Sequence, residues 1–565
     1  MDAEMVRFLA DIDAGREPIP DPWEGGPQVM LSLGDATDLD PAVLVAIGGP
    51  DGLDTAIFGQ DGAAEAVPPG PVLSALAEQA TANTATLTDN QLLGALSAAR
   101  RLANRAAYLE TLTVAEFTRR RTAQRQAAMA RKSPPGHREG EHADAELAFH
   151  LTTSVADAAD QMDIAAALAA RLTGTLAGMA AGAIDADRAR VVWYYTRFLT
   201  DADAAKADAI LAAAAPGLRH DQLARKAAAL EKKLDPAAAA ARKEHARKEN
   251  QRVEARREES GNMSLSAREL AAEDALAAKA HNDADAAVLR AGGLEGPLGR
   301  LRALAFIDRL TGRDPRHRII ANTQPEPGDT GHSGDQAPPG SRPPDGPAPL
   351  PALINLIVPA GTLLGSSATP ADAGSWGLLD ADDTRKIVHA ASLHPRTRWC
   401  VTLTGPDGTA IAHGCAHGQH PWTPAWTPAP STARAGPDPP RRDLLDRLLR
   451  ELNITFAPIA KGSCDHSERE DRYTPSRHLQ HLVRARTTRC PAPGCGAQAY
   501  YNDIDHTVPW PTGPSDQCNL APPCRRHHRC KQAVGWTLEQ PEPGVMRWTL
   551  PSGRTYTTTP TVYDL

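Results

Sequence analysis

The sequence predicts a multidomain, mainly α protein with a large helical N-terminal domain, a small α/β middle module and a small C-terminal domain clipped by a metal. Three observations lead to this expectation. Aromatic residues make up only 4% of the chain, and much of its 41% hydrophobic content is alanine, which favours helices and argues against an all-β fold. Apolar residues recur at helical spacing from Asp89. Five of the eight cysteines lie within Cys490–Cys530, which indicates a local cluster rather than a disulfide framework.

Shifts in composition divide the 565 residues into six segments. The first segment is rich in Asp, Gly and Pro, and we expect a loosely ordered acidic arm with one short helix. Two Pro/Gly-rich stretches without periodicity are expected to be linkers. The segments are the acidic arm 1–85, the helical domain 86–313, a linker 314–348, the α/β module 349–420, a second linker 421–440 and the C-terminal domain 441–565 with its core at 488–535.

The helical domain begins with a long amphipathic segment. Apolar residues spaced three and four apart from Asp89 predict one helix that runs to about Lys132, where Pro134 stops it. Helical signals resume and continue through 144–312 with several breaks. The stretch 237–259 is mostly charge and alanine, and it predicts a solvated helix because Glu is interleaved with its Lys and Arg.

The middle module carries three short elements in succession. An apolar run at 352–365, "ALINLIVPAGTLLG", predicts a buried strand. The segment 380–392, "DADDTRKIVHAAS", has an acidic first turn and predicts a helix. The segment 398–414, "RWCVTLTGPDGTAIAHG", has a Pro-Asp-Gly turn between two β-prone runs and predicts a hairpin.

Bulk charge and hydropathy exclude some classes of protein. The net charge of −8 provides no global basic field, so any nucleic-acid binding must come from a local patch. No apolar run approaches the roughly 20 residues needed to span a bilayer. The acidic N-terminus lacks the features of a secretory signal, so a cytoplasmic location without membrane association is expected. In that compartment cysteines are metal ligands or free thiols more often than disulfides.

Four residues of the C-terminal segment have the spacing of a structural zinc site. Cys490 and Cys495 bracket the tight-turn sequence "PAPG", and Cys524 and His527 are three apart at the start of a predicted helix. Three thiolates and one imidazole are a common tetrahedral zinc set. We therefore expect these four residues to bind Zn²⁺ and to hold together a segment with little core of its own.

A second set of polar residues surrounds the zinc set in sequence. Asp505 and His506 follow "AQAYYNDI", which predicts a strand ending at the pair, and Asn519 and His528 come later. His527 and His528 are neighbours on a helix, so their side chains diverge by about 100° and can face two different ions. In a swapped arrangement His528 would bind zinc and His527 the second ion; the nine-residue spacing from Asn519 favours the first.

Asp-His, Asn-Leu and Cys-x-x-His-His-x-x-Lys together resemble the HNH endonuclease motif, the ββα-metal fold. The resemblance implies that His506 is the general base and that Asp505 and His528 bind a catalytic divalent cation, Mg²⁺ or Mn²⁺, with Ni²⁺ as a further candidate. It also implies that Asn519 pins the loop that orients His506. Gln532 stands where some members carry another His, so the cation would have more water ligands.

The resemblance extends to most of residues 90–560. The chain resembles a large group of high-GC bacterial proteins, the thirteen-E-twelve repeat family, which joins a helical domain of unknown function 222 to a C-terminal HNH domain. The helical part of the likeness implies no known chemistry. The segments that carry it are 99–117, 294–312, 353–365, 397–408, 472–496 and 534–556.

Local charge agrees with a DNA partner, expected to be double-stranded. Residues 481–535 contain seven Lys and Arg but only three Asp, so this region is positively charged within an acidic protein. The expected phosphate contacts are Arg486, Arg489, Arg525, Arg526, Arg529 and Lys531.

The sequence thus predicts a metal-dependent HNH endonuclease that hydrolyses DNA phosphodiester bonds. The alternative is a zinc-stabilised DNA-binding or interaction protein without nuclease activity. The helical domain would bind DNA or a partner, or mediate self-association. Two further groups are weaker candidates. His413, Cys415, His417 and His420 could bind a metal, although a fortuitous cluster is favoured. Cys464 could be a reactive thiol, although nothing nearby would lower its pKa, and Cys518 and Cys530 are expected to be free thiols.

Overall fold

The computed structural model describes residues 55–319, 355–374, 377–392, 397–416 and 442–563. Residues 1–54 of the predicted arm, most of the first predicted linker and all of the second lie outside them. The chain divides into two compact units, one comprising Met1–Arg119 and Gln161–Ala240 and the other Arg120–Asp160 and Ala241–Leu565. Among the described residues, no helix has the length and apolarity required to cross a bilayer.

The first unit begins with a small apolar cluster. Two short 3-10 helices, Thr55–Phe58 and Ala63–Glu65, and helix α1 (Pro71–Thr81) bury Phe58 and Leu73. The sequence predicted a loosely ordered arm with one short helix in this region. The described part of the arm contains that helix, together with packing that the Asp, Gly and Pro content did not indicate.

The rest of the first unit is a helical bundle. Its principal core is formed by apolar side chains such as Leu168, Val192, Leu211 and Leu223. The long helix predicted from residue 89 is confirmed as α2. The helices are α2 (Asp89–Ala130), α4 (Val155–Ala170), α5 (Thr173–Ala180), α6 (Ala186–Thr196), α7 (Asp201–Ala214) and α8 (His220–Leu234), of which α2 and α4 continue into the second unit.

The second unit contains further helices, as predicted, and a β-hairpin that was not predicted. Helix α9 (Pro236–Asn250), which begins in the first unit, ends earlier than the predicted solvated helix. Strands β1 (Arg252–Arg257) and β2 (Met263–Arg268) follow as an antiparallel pair. The turn contains Gly261 at φ +87°, which favours glycine, and Glu254 forms ion pairs with arginines of both strands. The accompanying helices are α3 (Ala143–Leu151), α10 (Ala272–Ala291) and α11 (Leu298–Leu310).

The predicted middle module shares a sheet with the C-terminal segment. The predicted hairpin is confirmed as β5 (Cys400–Thr404) and β6 (Ala410–Cys415), and the predicted helix as α13 (Ala381–Ser392). Strand β7 (Ala457–Pro458), from beyond the second predicted linker, pairs with β6. Of the predicted buried strand at 352–365, the described part keeps one β-bridge, between Ile357 and Asp372, and from Pro359 it turns into the short helix α12 (Ala360–Leu363). The remaining elements here are β3 (Ala371–Asp372), β4 (Leu378–Leu379) and α14 (Arg442–Leu452).

The C-terminal segment contains a ββα arrangement. Strand β8 (Asp505–His506) pairs with β9 (Leu520–Ala521), and helix α16 (Arg525–Gln532) follows. The longer strand predicted before Asp505 is wrong, because residues Ala499–Tyr501 form a 3-10 helix. Helix α15 (Arg477–Arg486) precedes the arrangement, and a three-stranded antiparallel sheet follows it: β10 (Thr537–Glu542), β11 (Val545–Thr549) and β12 (Thr555–Thr558).

This segment has a larger apolar core than the sequence indicated. Trp536 and Trp548 are buried beside Cys490 and Cys530, and Phe149 of helix α3 inserts among them. The Phe149 ring meets both indoles edge-on, with centroids 5.4 and 5.6 Å away. A helix from the N-terminal half of the chain therefore completes the core behind the ββα arrangement.

Candidate active site and metal-binding clusters

Cys490, Cys495, Cys524 and His527 form a cluster that could hold a metal ion, as their spacing predicted. Their ligand atoms all lie within 4.8 Å of one another. His527 Nδ1 is 3.4 Å from Cys490 Sγ and 3.2 Å from Cys524 Sγ. A tetrahedral zinc ion with ordinary bond lengths separates its ligand atoms by about 3.5–3.8 Å, so the residues fit such an ion with small adjustments.

The environment of this cluster suits thiolates held by a cation. Contacts with Cys495 and Cys524, together with burial, raise the pKa of the Cys490 thiol, because the sulfurs crowd one another. A bound cation would relieve this repulsion. The other ring nitrogen of His527, Nε2, is buried with no hydrogen-bond partner among the described residues, and the ring lies 5.3 Å from that of Phe149. Packing thus directs Nδ1 toward the sulfurs.

The adjacent His528 faces a different group of side chains. Its Nε2 is 3.2 Å from Asp505 Oδ1, and its Nδ1 is 3.1 Å from Asp503 Oδ2. The hydrogen bond with Asp505 raises the pKa of His528 against the effect of burial. Two adjacent ligands of an octahedral ion with 2.0–2.1 Å bonds lie about 3.0 Å apart. Asp505 and His528 therefore fit two neighbouring positions on a divalent cation, with Asp503 orienting the imidazole.

Lys531 is part of this site rather than a contact for DNA. Its ammonium donates to Asp505 Oδ2 and to the carbonyl of His506, and the side chain is only 9% exposed. Burial acts to raise the pKa of Asp505, but the hydrogen bond with His528 and the charge of Lys531 outweigh it and lower the pKa. Asp505 is thus an ionised carboxylate with one oxygen held by Lys531 and the other beside His528.

His506 is buried, and its hydrogen-bond partner determines which ring nitrogen carries the proton. Its Nε2 lies 2.8 Å from Ser515 Oγ, and the same hydroxyl donates to the carbonyl of Arg472 at 2.5 Å. Since the hydroxyl has one hydrogen, Ser515 must accept from His506 Nε2–H, which leaves the lone pair on Nδ1. Burial lowers the pKa of His506, so the imidazole is neutral near pH 7, and the ring of Tyr473 stacks on it at 5.7 Å.

Asn519 ties down the loop that follows His506. Its amide donates to the carbonyls of Val508 and Pro514 at 3.0 and 2.9 Å and accepts from the N–H of Val508 at 2.7 Å. These bonds use the side chain's oxygen and nitrogen, and they fix both ends of the segment 508–514. The structure thus brings Asp505, His506, Asn519 and His528 together at one end of the β8–β9 pair.

The predicted DNA contacts fall into two groups. Arg486 is buried and donates to the carbonyls of Gln517 and Leu520 at 2.7 and 2.8 Å. Arg486 and the inward-facing Lys531 were therefore wrongly predicted to reach phosphates. Burial lowers the pKa of Arg486 to about 10, which still leaves it charged at neutral pH. The other four are exposed: Arg489 beside Asp372, Arg525 beside Asp503, Arg526 beside Asp144, and Arg529.

Two more clusters could hold a metal ion, and neither full set of ligands was predicted. Cys400, His413, Cys415 and His481 form one; Cys464, His466, Asp516 and Cys518 form the other. The sequence indicated His413 and Cys415 as a weaker metal candidate, whereas it indicated neither Cys400 and His481 nor a metal role for the second cluster. For the first cluster the spacing of His413 and Cys415 was a usable signal, because residues two apart on a strand share a face. Cys530 lies in the apolar core, and His417 and His420 lie outside the described residues.

Comparison with known proteins relates the helical region to a family. Residues 100–292 match the family model described as a domain of unknown function (DUF222). The uncharacterized protein Rv3776 of Mycobacterium tuberculosis is 34% identical over 200 residues, 35% of this chain and 36% of that protein. The uncharacterized protein Rv2100 of the same species is 46% identical over 92 residues, 16% and 17% respectively. The chain thus spans about a third of the length of Rv3776 and about a sixth of that of Rv2100, and no solved structure matches it.

Proposed function

We propose that this protein is a metal-dependent HNH endonuclease that hydrolyses DNA phosphodiester bonds. The observation that carries the proposal is the pair of neighbouring histidines on α16. His527 turns toward three cysteines, whereas His528 turns toward Asp505 at the end of the β8–β9 pair, 3.2 Å away. A binding module would need only the first arrangement; the second supplies the groups that phosphodiester hydrolysis requires.

Each polar residue of the site has a role in this proposal. Asp505 and His528 would hold a divalent cation, which when bound polarises the scissile phosphate and stabilises the departing oxygen. His506 would accept a proton from the attacking water at Nδ1, the nitrogen that the Ser515 contact leaves unprotonated. Asn519 would keep the following loop, and with it His506, in position.

DNA would approach over the exposed arginines of α16. Arg525, Arg526 and Arg529 are all exposed on the same helix as His528. Surface ion pairs contribute little to stability, so Arg525 can exchange Asp503 for a phosphate at low cost. Such contacts would make DNA binding depend strongly on salt concentration.

A plasmid-nicking assay tests the proposal. Supercoiled plasmid is incubated with the full chain and Mg²⁺, Mn²⁺ or Ni²⁺, and the wild type is compared with His506→Ala. Loss of a general base should reduce cleavage by roughly 10²- to 10⁴-fold. The matched control is His478→Ala, an exposed histidine of α15 beside Glu468 that should leave cleavage unchanged. Equal cleavage by wild type and His506→Ala, or none with any of the metals, would refute the nuclease.

One observation favours a second function, DNA binding without cleavage. The Lys531 ammonium lies on Asp505, and His506 is buried beneath Tyr473, so both groups are partly occupied by the protein itself. Retardation of a DNA duplex in a gel without cleavage under any of the metal conditions would support this function. The variant Lys531→Met would then separate two causes of inactivity. If the lysine blocks the site, the variant should bind the metal ion more tightly than the wild type. If the site binds no cation, its metal affinity should not change.

A further inference from the structure

A second cysteine–histidine cluster joins the β5–β6 hairpin to helix α15. Cys400 and Cys415 lie directly opposite each other across the hairpin. His413 precedes Cys415 by two residues and so extends from the same face of β6, and His481 projects from α15. The four ligand atoms lie within 4.8 Å of one another. Two sheet strands and a helix thus direct two thiols and two imidazoles to one point.

The distances within the cluster are those of converging ligands. His481 Nδ1 is 2.9 Å from Cys415 Sγ and 3.8 Å from Cys400 Sγ. His413 Nε2 is 3.5 Å from Cys415 Sγ, and the two sulfurs are 2.8 Å apart. In a tetrahedral zinc site the sulfurs would lie about 3.8 Å apart, so they would separate by about 1 Å.

His413 is already held in the orientation of a ligand. The hydroxyl of Thr402, its cross-strand neighbour, lies 2.9 Å from His413 Nδ1. A partner on one ring nitrogen fixes the tautomer and ring direction of metal-binding histidines, and leaves the other nitrogen free to coordinate. Here the free nitrogen is Nε2, which points at Cys415.

We propose that Cys400, His413, Cys415 and His481 bind a structural Zn²⁺ at a site separate from the Cys490 cluster. Two thiolates and two imidazoles are a common structural zinc set. A disulfide between Cys400 and Cys415 is the competing arrangement, but it would give no reason for both imidazoles to converge on the sulfurs. The site is defined by the hairpin and α15 and does not depend on the proposed nuclease activity.

The ion would stabilise the helix that supports the β8–β9 pair. One face of α15 packs through Leu482 and Ala485 against Ala410 of the hairpin. Its other face packs through Leu479 and Val483 against Leu520 of β9. Fixing His481 to the hairpin would therefore hold α15 in place between the two sheets.

Metal content of the full chain tests the site. His481→Ala and Cys415→Ser should each contain one zinc less per chain than the wild type, as measured by elemental mass spectrometry. His478→Ala, on the same helix but outside the cluster, should retain the full content. Equal zinc in wild type and His481→Ala would overturn the proposal.

A second measurement needs no variant and covers the case in which the variants misfold. Cys400 is an exposed cysteine, so the change in its reaction with iodoacetamide when metal is removed reports on whether a metal holds its sulfur. In zinc-loaded wild type we expect slow alkylation of Cys400 and Cys415, accelerated at least tenfold by a strong chelator, with peptide mass spectrometry as the readout. Fast alkylation before chelation, or a Cys400–Cys415 disulfide in protein purified under reducing conditions, would contradict the site. Neither readout uses DNA cleavage, so failure of the nuclease proposal leaves this test unaffected.

Discussion

At the residue scale, the proposed function depends on how two neighbouring side chains are separated. His527 is buried against Phe149 and directs Nδ1 at sulfur, whereas His528 is held between two carboxylates. The first environment suits a scaffold ion with soft ligands, and the second suits a hard divalent cation with water in its remaining positions. One helical turn can therefore serve two ions without either side chain bridging them.

His527→Ala and His528→Ala should therefore differ sharply. His527→Ala should lose one tightly bound metal per chain and much of the stability of the C-terminal core, because structural zinc contributes on the order of 10 kcal/mol in small zinc domains. His528→Ala should retain that metal and its melting temperature while losing cleavage. Elemental analysis and thermal unfolding of both variants check this. The same metal loss in both would show that the two rings share one ion.

Ser515 is predicted to be a positioning residue for His506. Ser515→Ala removes the acceptor for Nε2–H and should lower cleavage by about tenfold or more without changing metal content, as loss of comparable second-layer contacts does. Nitrogen NMR of the labelled histidine distinguishes this role from a structural one, because the wild-type ring should show protonated Nε2 and the variant a mixture of tautomers. An unchanged tautomer together with reduced cleavage would assign Ser515 a different role.

The sequence identified which residues gather at the site better than it identified what each contacts. The resemblance to the HNH motif grouped Asp505, His506 and His528, and the short ββα path brings them together. Charge counting failed for Arg486 and Lys531, since composition cannot show which cations turn inward to satisfy carbonyls or a carboxylate. Asp503 and Ser515 were missed for a similar reason: their role depends on partners distant in sequence.

At the element scale, helix α3 provides a side chain to a core far along the chain. Phe149 is 1% exposed and contacts His527, Trp536 and Trp548. Glu146, on the same helix, accepts from the N–H of Ser552 at 2.9 Å. Helix α3 therefore belongs to the C-terminal core although it lies within the family-matched helical region.

Phe149→Ala should destabilise this core by about 3–5 kcal/mol, the usual cost of removing a buried phenylalanine. Urea unfolding followed by tryptophan fluorescence measures the change, because Trp536 and Trp548 report on this core. Leu151→Ala, two residues along the same helix but 38% exposed, is the control and should cost much less. Equal destabilisation by the two variants would mean that α3 does not support the C-terminal core.

Elements with a strong local signal were predicted, and those set by neighbours were not. The helix from Asp89 and the hairpin around residues 405–408 follow from apolar spacing and turn residues. The hairpin at 252–268 was read as helix because alanine and charge before it dominate the composition, although Gly261 allows the reversal. The short turn at 499–501 reflects packing that no local pattern encodes.

At the scale of the whole molecule, the C-terminal unit is assembled from distant parts of the chain. It includes Arg120–Asp160 as well as Ala241–Leu565. The sheet β5–β6–β7 uses strands from both sides of the predicted linker 421–440, and the proposed second zinc site draws His481 from one side and the other three ligands from the other. The sequence suggested separate modules because linkers are visible in composition, whereas packing across them is not.

A fragment of residues 441–565 should therefore be much less stable than its motif content suggests. It retains Cys490, Cys495, Cys524 and His527 but lacks Phe149 and the β5–β6 hairpin. We expect a lower melting temperature and one zinc per chain fewer than in the full protein. A fragment of residues 349–565 regains the hairpin but not α3. Its melting temperature should lie between those of the 441–565 fragment and the full chain. Differential scanning calorimetry with metal analysis provides the comparison. If the 441–565 fragment has the same melting temperature as the C-terminal unit of the full chain, this domain folds independently.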